Sequence, residues 1–147
     1  MQLTNIARDI LEDAKMNRIY IPITWCKLNT NEINNLNNQS IKKLKHATKD
    51  LLQLAELYYE SAIQGLAFLS PRNKFAILLA LIIYRQIGKK ITLKNYSNLY
   101  IREKVSLLEK VLCSFKCIFL YIFNFKIHKK VYNHNDSLHK HIKHFFK

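Results

Sequence analysis

Apolar residues recur at helical spacing through most of the chain. In the first block, from Gln2 to about Lys15, they share one stripe and predict an amphipathic helix. A second block, with apolar residues three or four positions apart from Ile41 to Leu66, predicts a long helix. We expect Ser40 to cap its start, and Ser70-Pro71 to end it.

The segments around these blocks follow from turn formers and from one apolar run. Asn17 to Asn38 contains Pro22 and several asparagines, so it predicts a connection, with a short helical turn over Glu32–Leu36. The run FAILLALIIY, residues 75–84, has about half the ~20 residues needed to cross a bilayer. It therefore predicts a helix that is buried on all sides, which needs more neighbouring elements than this chain supplies. A last helix is expected from about Tyr100.

Composition narrows the fold class. Only two glycines and two prolines occur in 147 residues, too few for the turns of an all-β protein. We therefore expect an all-α domain. Cys26, Cys113 and Cys117, an odd number, favour buried thiols in a reducing, cytoplasmic setting over a disulfide framework.

The formal net charge of +14 indicates an acidic partner: nucleic acid, an anionic membrane surface or a phosphorylated small molecule. A compositional bias of the gene explains the lysine excess equally well. No nucleic-acid-binding motif is present, so we expect no nucleic-acid partner. The tail segment CIFLYIFNFKI with its lysines fits a peripheral membrane contact. The histidines beyond it, among them His139, His141 and His144, predict a solvated basic end rather than a metal site.

The first helix carries a polar stripe as well as an apolar one. Gln2, Asn5, Asp9 and Asp13 are spaced three, four and four residues apart, so they line one side of a helix. One interpretation is the wet side of an amphipathic helix, with Arg8 and Glu12 paired at the surface. The other is an oxygen-ligand set for Mg²⁺, with nearby basic residues complementing a diphosphate.

The stretch QLTNIARDILEDAKMNRIYIP resembles the second aspartate-rich motif of the phytoene and squalene synthase family. That motif has a QLxNIxRDxxED core and an R-[IL]-Y-[LFI]-P ending. Further along, YYESAIQGLAFLSPRNKFAILLALIIYRQIGKKI resembles the phytoene synthase stretch that runs through a Pro-Arg turn into an IYxxIGxxI helix. Residue Leu11 departs from the family, which often has glycine there.

The resemblance implies an isoprenoid (terpenoid) synthase helical fold that joins two prenyl diphosphates head to head with Mg²⁺, or Mn²⁺ in its place. It implies that Asp9 and Asp13 are catalytic metal ligands and that Asn5 is a further ligand. The remaining residues it implies are substrate-binding: Gln2 in the cavity, with Arg8, Tyr84 and Arg102 at the diphosphate.

The resemblance also implies that the fold is incomplete, because the family's first aspartate-rich motif lies upstream of the QLTN helix. We therefore expect residues 1–110 to form the C-terminal half of a synthase that makes phytoene from geranylgeranyl diphosphate, inactive without its N-terminal half. Residues 111–147 form a basic, aromatic and histidine-rich tail that does not match the family. The alternatives are a fragment of a squalene or hydroxysqualene-type synthase and a non-catalytic assembly relative. Either way we expect a cytoplasmic protein, with a peripheral membrane contact left open.

Overall fold

The computed structural model describes residues 1–96, 99–130 and 136–139, and within these ranges the regular elements are all helical. The expected all-α fold is therefore confirmed. The α-helices are α1 (Gln2–Arg8), α2 (Ile10–Lys15), α3 (Ile23–Cys26), α4 (Thr30–Asn34), α5 (Asn38–Gly65), α6 (Pro71–Leu93) and α7 (Leu107–Phe123). Short 3₁₀ helices follow α5 at Leu66–Phe68, follow α7 at Phe125–Ile127 and occupy Asp136–His139.

Three helix starts differ from the prediction because capping side chains lie elsewhere. Asn37, not Ser40, caps α5, and its side-chain oxygen accepts from the Ser40 amide at 2.8 Å. Asn29 forms a reciprocal capping box that starts α4 at Thr30 rather than at Glu32. The last helix begins at Leu107, not near Tyr100, because Ser106 and the glutamate three residues on form the same box.

The predicted first helix is interrupted at Asp9, whose φ of −103° and ψ of 17° lie outside the helical range. The hydrogen-bond ladder nevertheless continues through the interruption. The Asp9 amide donates to the Asn5 carbonyl at 2.9 Å, and the Asp13 amide donates to the Asp9 carbonyl at 2.8 Å. α1 and α2 therefore form one nearly continuous rod with a local distortion, and the polar stripe keeps one side.

The main core lies under this rod. Side chains from α1 to α5 meet there with Leu99, and Ala7, Ala14 and Leu44 are completely buried. A second cluster joins α6 to α7 and includes two buried cysteines. Cys26, Cys113 and Cys117 are all free and buried, as expected for small apolar side chains.

α6 does not have the all-round burial that FAILLALIIY predicted. Leu78, Leu81 and Ile82 are buried, whereas Ala76 and Ile77 are exposed. An apolar run that covers the whole circumference cannot indicate which side packs. Toward its end α6 lies close to α1 and α5: a Cβ added at Gly88 would come within 3.3 Å of the Leu52 Cδ2 atom. The histidines predicted to form a solvated end, 141 and 144, lie outside the described residues.

Candidate functional site

The rod of α1 and α2 gathers most of the predicted site residues around one open cavity. Its volume is about 270 Å³, and Ile6 and Tyr20 complete its walls. Since the α1–α2 rod is held on the core by Ala7, Ile10 and Ala14, its polar side is fixed in place. The predicted residues that line the cavity are Gln2, Asn5, Arg8, Asp9 and Asp13.

Asp9 lies between two guanidinium groups. Arg8 binds it in a bidentate arrangement, with Nε donating to Oδ1 at 2.7 Å and Nη2 donating to Oδ2 at 2.6 Å. From the other side, Arg102 Nε lies 3.0 Å from Asp9 Oδ1. The structure thus places Arg102, which is 93 residues away along the chain, at the predicted site.

Glu12 is a site residue that the sequence interpretation assigned differently. One of the two interpretations of the polar stripe paired it with Arg8, but its Oε2 atom lies 3.2 Å from Arg102 Nη1. Arg8 instead pairs with the adjacent Asp9. The sequence contains one signal for this contact. Asp9 and Glu12 are three residues apart on a helix, so both carboxylates lie within reach of one guanidinium.

The two aspartates of the stripe have opposite pKa shifts. Burial raises the pKa of Asp9, but the hydrogen bond and charge of Arg8, with Arg102, outweigh burial and leave that pKa below its ordinary value. The pKa of Asp13 is raised, first by burial and then by the negative charge of Asp9. A cation shared by the two carboxylates would relieve this repulsion.

Asn5 provides an oxygen without a partner. Its Oδ1 atom is buried and accepts no hydrogen bond among the described residues. Buried polar atoms are normally satisfied, so such an atom calls for an explanation. Because it lies on the same side as Asp9 and Asp13, it completes a set of hard oxygen donors of the type that Mg²⁺ prefers.

Tyr84 approaches this site from α6. It packs against Ala55, Tyr59 and Leu81. It is also close enough to Arg8 to help raise the pKa of that guanidinium, after the larger effect of the hydrogen bond that Arg8 donates to Asp9. A hydrogen bond of 2.7 Å between Thr4 Oγ1 and the Tyr59 hydroxyl ties α1 to α5 next to Tyr84. All seven predicted site residues therefore lie on or beside the α1–α2 rod.

The oxygen atoms of Asn5, Asp9 and Asp13 are of the type that binds magnesium, but they are too few to fill its coordination shell without other ligands. Within the part of the chain that the structure describes, no group of three or more histidine, cysteine, aspartate or glutamate side chains could hold a metal. Mg²⁺ is usually held by one or two carboxylates plus waters and substrate phosphates. Two carboxylates and one amide oxygen satisfy that requirement.

Comparison with known proteins identifies the family. Residues 1–109 match the family model described as squalene/phytoene synthase. The chain is 40% identical over 111 residues to the 15-cis-phytoene synthase of Enterobacter agglomerans, which covers 75% of this chain and 38% of that protein. It is 43% identical over 91 residues to the 15-cis-phytoene synthase of Pantoea ananas, covering 61% of this chain and 29% of that protein.

A more distant relative is the phytoene synthase of Arthrospira platensis, 34% identical over 113 residues, or 76% of this chain and 37% of that protein. The chain therefore spans well under half the length of these curated relatives. No solved structure matches it. From the match of the family model to most of its length, the chain belongs to the squalene/phytoene synthase family.

Proposed function

We propose that this chain supplies the second carboxylate-bearing helix of a prenyltransferase that joins two prenyl diphosphates, with geranylgeranyl diphosphate as substrate and phytoene as product. One observation carries the proposal: Asn5, Asp9 and Asp13 present oxygen atoms along one side of the α1–α2 rod, and arginines flank Asp9. Membership of the family supports the reaction class. The three curated relatives described above are all named as phytoene synthases, and their names support the choice of product.

In this proposal Asn5, Asp9 and Asp13 would hold Mg²⁺, or Mn²⁺, through their side-chain oxygens. The bound ion would supply Lewis acidity toward the departing diphosphate. The chain's own oxygens orient the ion. Because Arg8 and Arg102 neutralise Asp9 within the chain, they must be released or shared when the metal and the diphosphate arrive.

The released guanidiniums then have a role at the leaving group. When the carbon–oxygen bond of the prenyl ester breaks, its electron pair leaves with the diphosphate, and the allylic carbon becomes cationic. Arg8 and Arg102 donate N–H hydrogen bonds to diphosphate oxygens, and the Tyr84 hydroxyl donates another. Gln2 lines the same cavity. In this proposal its side chain contacts the substrate.

We further propose that the chain is inactive alone and works with an N-terminal portion that carries the family's other acid pair. The first test is an assay of phytoene formation from geranylgeranyl diphosphate. It uses the purified chain, and then the chain mixed with the N-terminal portion of the Enterobacter agglomerans relative. We expect product only in the mixture. Turnover by the chain alone would contradict this requirement.

The second test is Asp9→Asn in that mixture, with Asp50→Asn as the matched control. Asp50 lies on α5, next to His46, away from the cavity. We expect Asp9→Asn to lower turnover by at least about a hundredfold, because metal sites are sensitive even to changes beside the ligands. Titration of Mn²⁺ by electron paramagnetic resonance gives a readout that is independent of turnover, and only Asp9→Asn should weaken it.

The same assays separate the alternatives. Unchanged turnover in Asp9→Asn and Asp13→Asn would favour a non-catalytic assembly role for this chain. Preference for farnesyl diphosphate over geranylgeranyl diphosphate would favour a squalene or hydroxysqualene-type synthase.

A further inference from the structure

One side of α7 is strongly apolar and turned outward. Nine large apolar side chains on this helix are between 45% and 79% exposed. Single exposed apolar residues are ordinary, but a contiguous patch of this kind marks a contact surface. These residues, which we call the outer face of α7, are Leu107, Leu108, Val111, Leu112, Phe115, Ile118, Phe119, Ile122 and Phe123.

The outer face is continuous and uncharged. At 100° per residue its nine members fall within an arc of about 160°, and no charged residue of α7 lies inside that arc. The opposite side of the helix packs on α6 through Cys113 and Cys117. Phe125, just past the end of α7, is 80% exposed and extends the apolar surface.

The charges around the outer face are mainly positive. Lys110 and Lys116 lie on α7 outside the arc, and both are exposed. Beyond the helix, Lys126, Lys129 and Lys130 are exposed as well. The one acidic residue from 107 to 130 is Glu109.

Glu109 does not offset this excess. It pairs with Lys90 at 2.8 Å, and hydrogen bonds from Lys90 and from Ser106 lower its pKa to about 2. An apolar surface rimmed by lysines complements a bilayer with anionic headgroups: the apolar side chains enter the acyl boundary, and the lysines reach phosphates.

We propose that α7 lies in the surface of an anionic lipid bilayer, with its outer face toward the acyl chains. The proposal does not place a helix across the bilayer, because no helix among the described residues is long and apolar enough to span a membrane. Docking in the plane of the surface needs only the amphipathic helix and its basic rim. The proposal does not depend on the catalytic proposal, since it concerns lipid binding alone.

The test is co-sedimentation of the purified 147-residue chain with vesicles of phosphatidylcholine, alone or in equimolar mixture with phosphatidylserine. We expect binding to the mixed vesicles and weaker binding to phosphatidylcholine alone. The pair Phe115→Ser and Phe119→Ser should weaken binding by at least about tenfold, from the loss of buried aromatic area. The control pair Ile23→Ser and Leu93→Ser, at positions outside α7 that are 67% and 83% exposed, should leave binding unchanged.

A second set of variants tests the charges and does not alter the apolar face. Reversing Lys126, Lys129 and Lys130 to glutamate should reduce binding to mixed vesicles to the level seen with phosphatidylcholine alone. Each lysine near an anionic surface accounts for about a fivefold change. High salt should have the same effect on the parent chain. Circular dichroism checks that each variant keeps its helices.

Several results would overturn the proposal. One is equal vesicle binding by the parent chain and both sets of variants. Another is no vesicle binding together with a dimer that the Phe115→Ser and Phe119→Ser pair dissociates, which would assign the outer face to a second copy. A third is loss of vesicle binding when the N-terminal portion of a relative is added, because that portion would then cover α7.

Discussion

The α1–α2 rod and the outer face of α7 differ in whether their surface side chains have partners within the chain. On the rod, the half-buried Asp9 has two arginines within hydrogen-bonding distance, and the apolar side rests on the main core. On α7, one side packs against α6 and the other carries large apolar residues open to solvent. On the rod, the carboxylate of Asp9 is paired with arginines of the same chain. On the outer face of α7, the apolar side chains are exposed to solvent and available to an external surface.

A matched pair of leucine truncations tests this difference and has the largest expected effect on stability. Leu44 is completely buried in the main core, whereas Leu112 on α7 is 67% exposed. We expect Leu44→Ala to lower the free energy of unfolding by about 2–5 kcal/mol, from lost burial and the cavity left behind. Leu112→Ala should change it by less than about 0.5 kcal/mol. Urea denaturation of both variants measures the contrast.

Comparable losses of stability for the two leucines would contradict this difference between the regions, because the outer face of α7 would then be covered within the folded chain. A dimer in solution would give the same result by burying Leu112. Repeating the denaturation over a range of protein concentrations distinguishes these cases, since only a dimer makes the midpoint depend on concentration.

The buried hydrogen bond between Thr4 and Tyr59 tests how firmly the rod is attached. Thr4 is 1% exposed and Tyr59 is 5% exposed. Tyr59→Phe leaves the Thr4 hydroxyl buried without this partner, so we expect a loss of about 1–3 kcal/mol. Tyr58→Phe is the control, because its hydroxyl donates to the Leu138 carbonyl at the surface. It should cost less than about 0.5 kcal/mol.

Adding Thr4→Val to Tyr59→Phe removes both polar partners. The double variant should recover most of the lost stability, because no buried hydroxyl then lacks its hydrogen bond. If the double variant is less stable than Tyr59→Phe, the interaction is not the pairwise hydrogen bond that the structure shows.

Helical periodicity predicted the rod well, for a physical reason. Local spacing fixes which residues share a side of a helix, so Gln2, Asn5, Asp9 and Asp13 were expected to lie together, and they line one cavity. The interruption at Asp9 was not predicted. It depends on the φ and ψ angles of one residue, and neither glycine nor proline marks it in the sequence.

Features that depend on distant residues were harder to predict. Only the family resemblance brought Arg102 to the site, and its contact with Glu12 joins positions 90 residues apart, which no local pattern encodes. The start of α7 could have been predicted from the sequence, because the Ser106–Glu109 spacing is a capping-box signature. The apolar run in α6 carried too little asymmetry to show that Ile77 is exposed.

Arg102 gives a smaller test of the rod, because it is 39% exposed and solvent screens its ion pairs. We expect Arg102→Gln to cost about 0.2–1 kcal/mol at neutral pH. Arg102 helps lower the pKa of Asp9 in the folded state. The stability that comes from this shift is present above the unfolded pKa of Asp9 and is lost as the pH falls through the folded pKa.

Denaturation at neutral and at acid pH should therefore show a gap between Arg102→Gln and the parent chain that closes in acid. Arg72→Gln, at an exposed position on α6, is the control and should show no such gap. A gap that persists in acid would mean that Arg102 stabilises the chain by packing rather than by its charge.

Asp13→Asn has the smallest expected effect and the opposite sign. The raised pKa of Asp13 means that the folded chain favours the protonated form, so this contribution to stability is lost as the pH rises through the folded pKa. At neutral pH the ionised Asp13 repels Asp9, and we expect Asp13→Asn to stabilise the chain by about 0.2–0.5 kcal/mol.

Thermal denaturation at neutral and acid pH measures this gain in stability, which should vanish in acid. The control Asp50→Asn should show no gain. A loss of stability in Asp13→Asn at neutral pH would mean that the Asp13 carboxylate makes favourable interactions within the chain. A gain would mean that the chain keeps a destabilising charge, as expected for a residue retained for binding a cation rather than for folding.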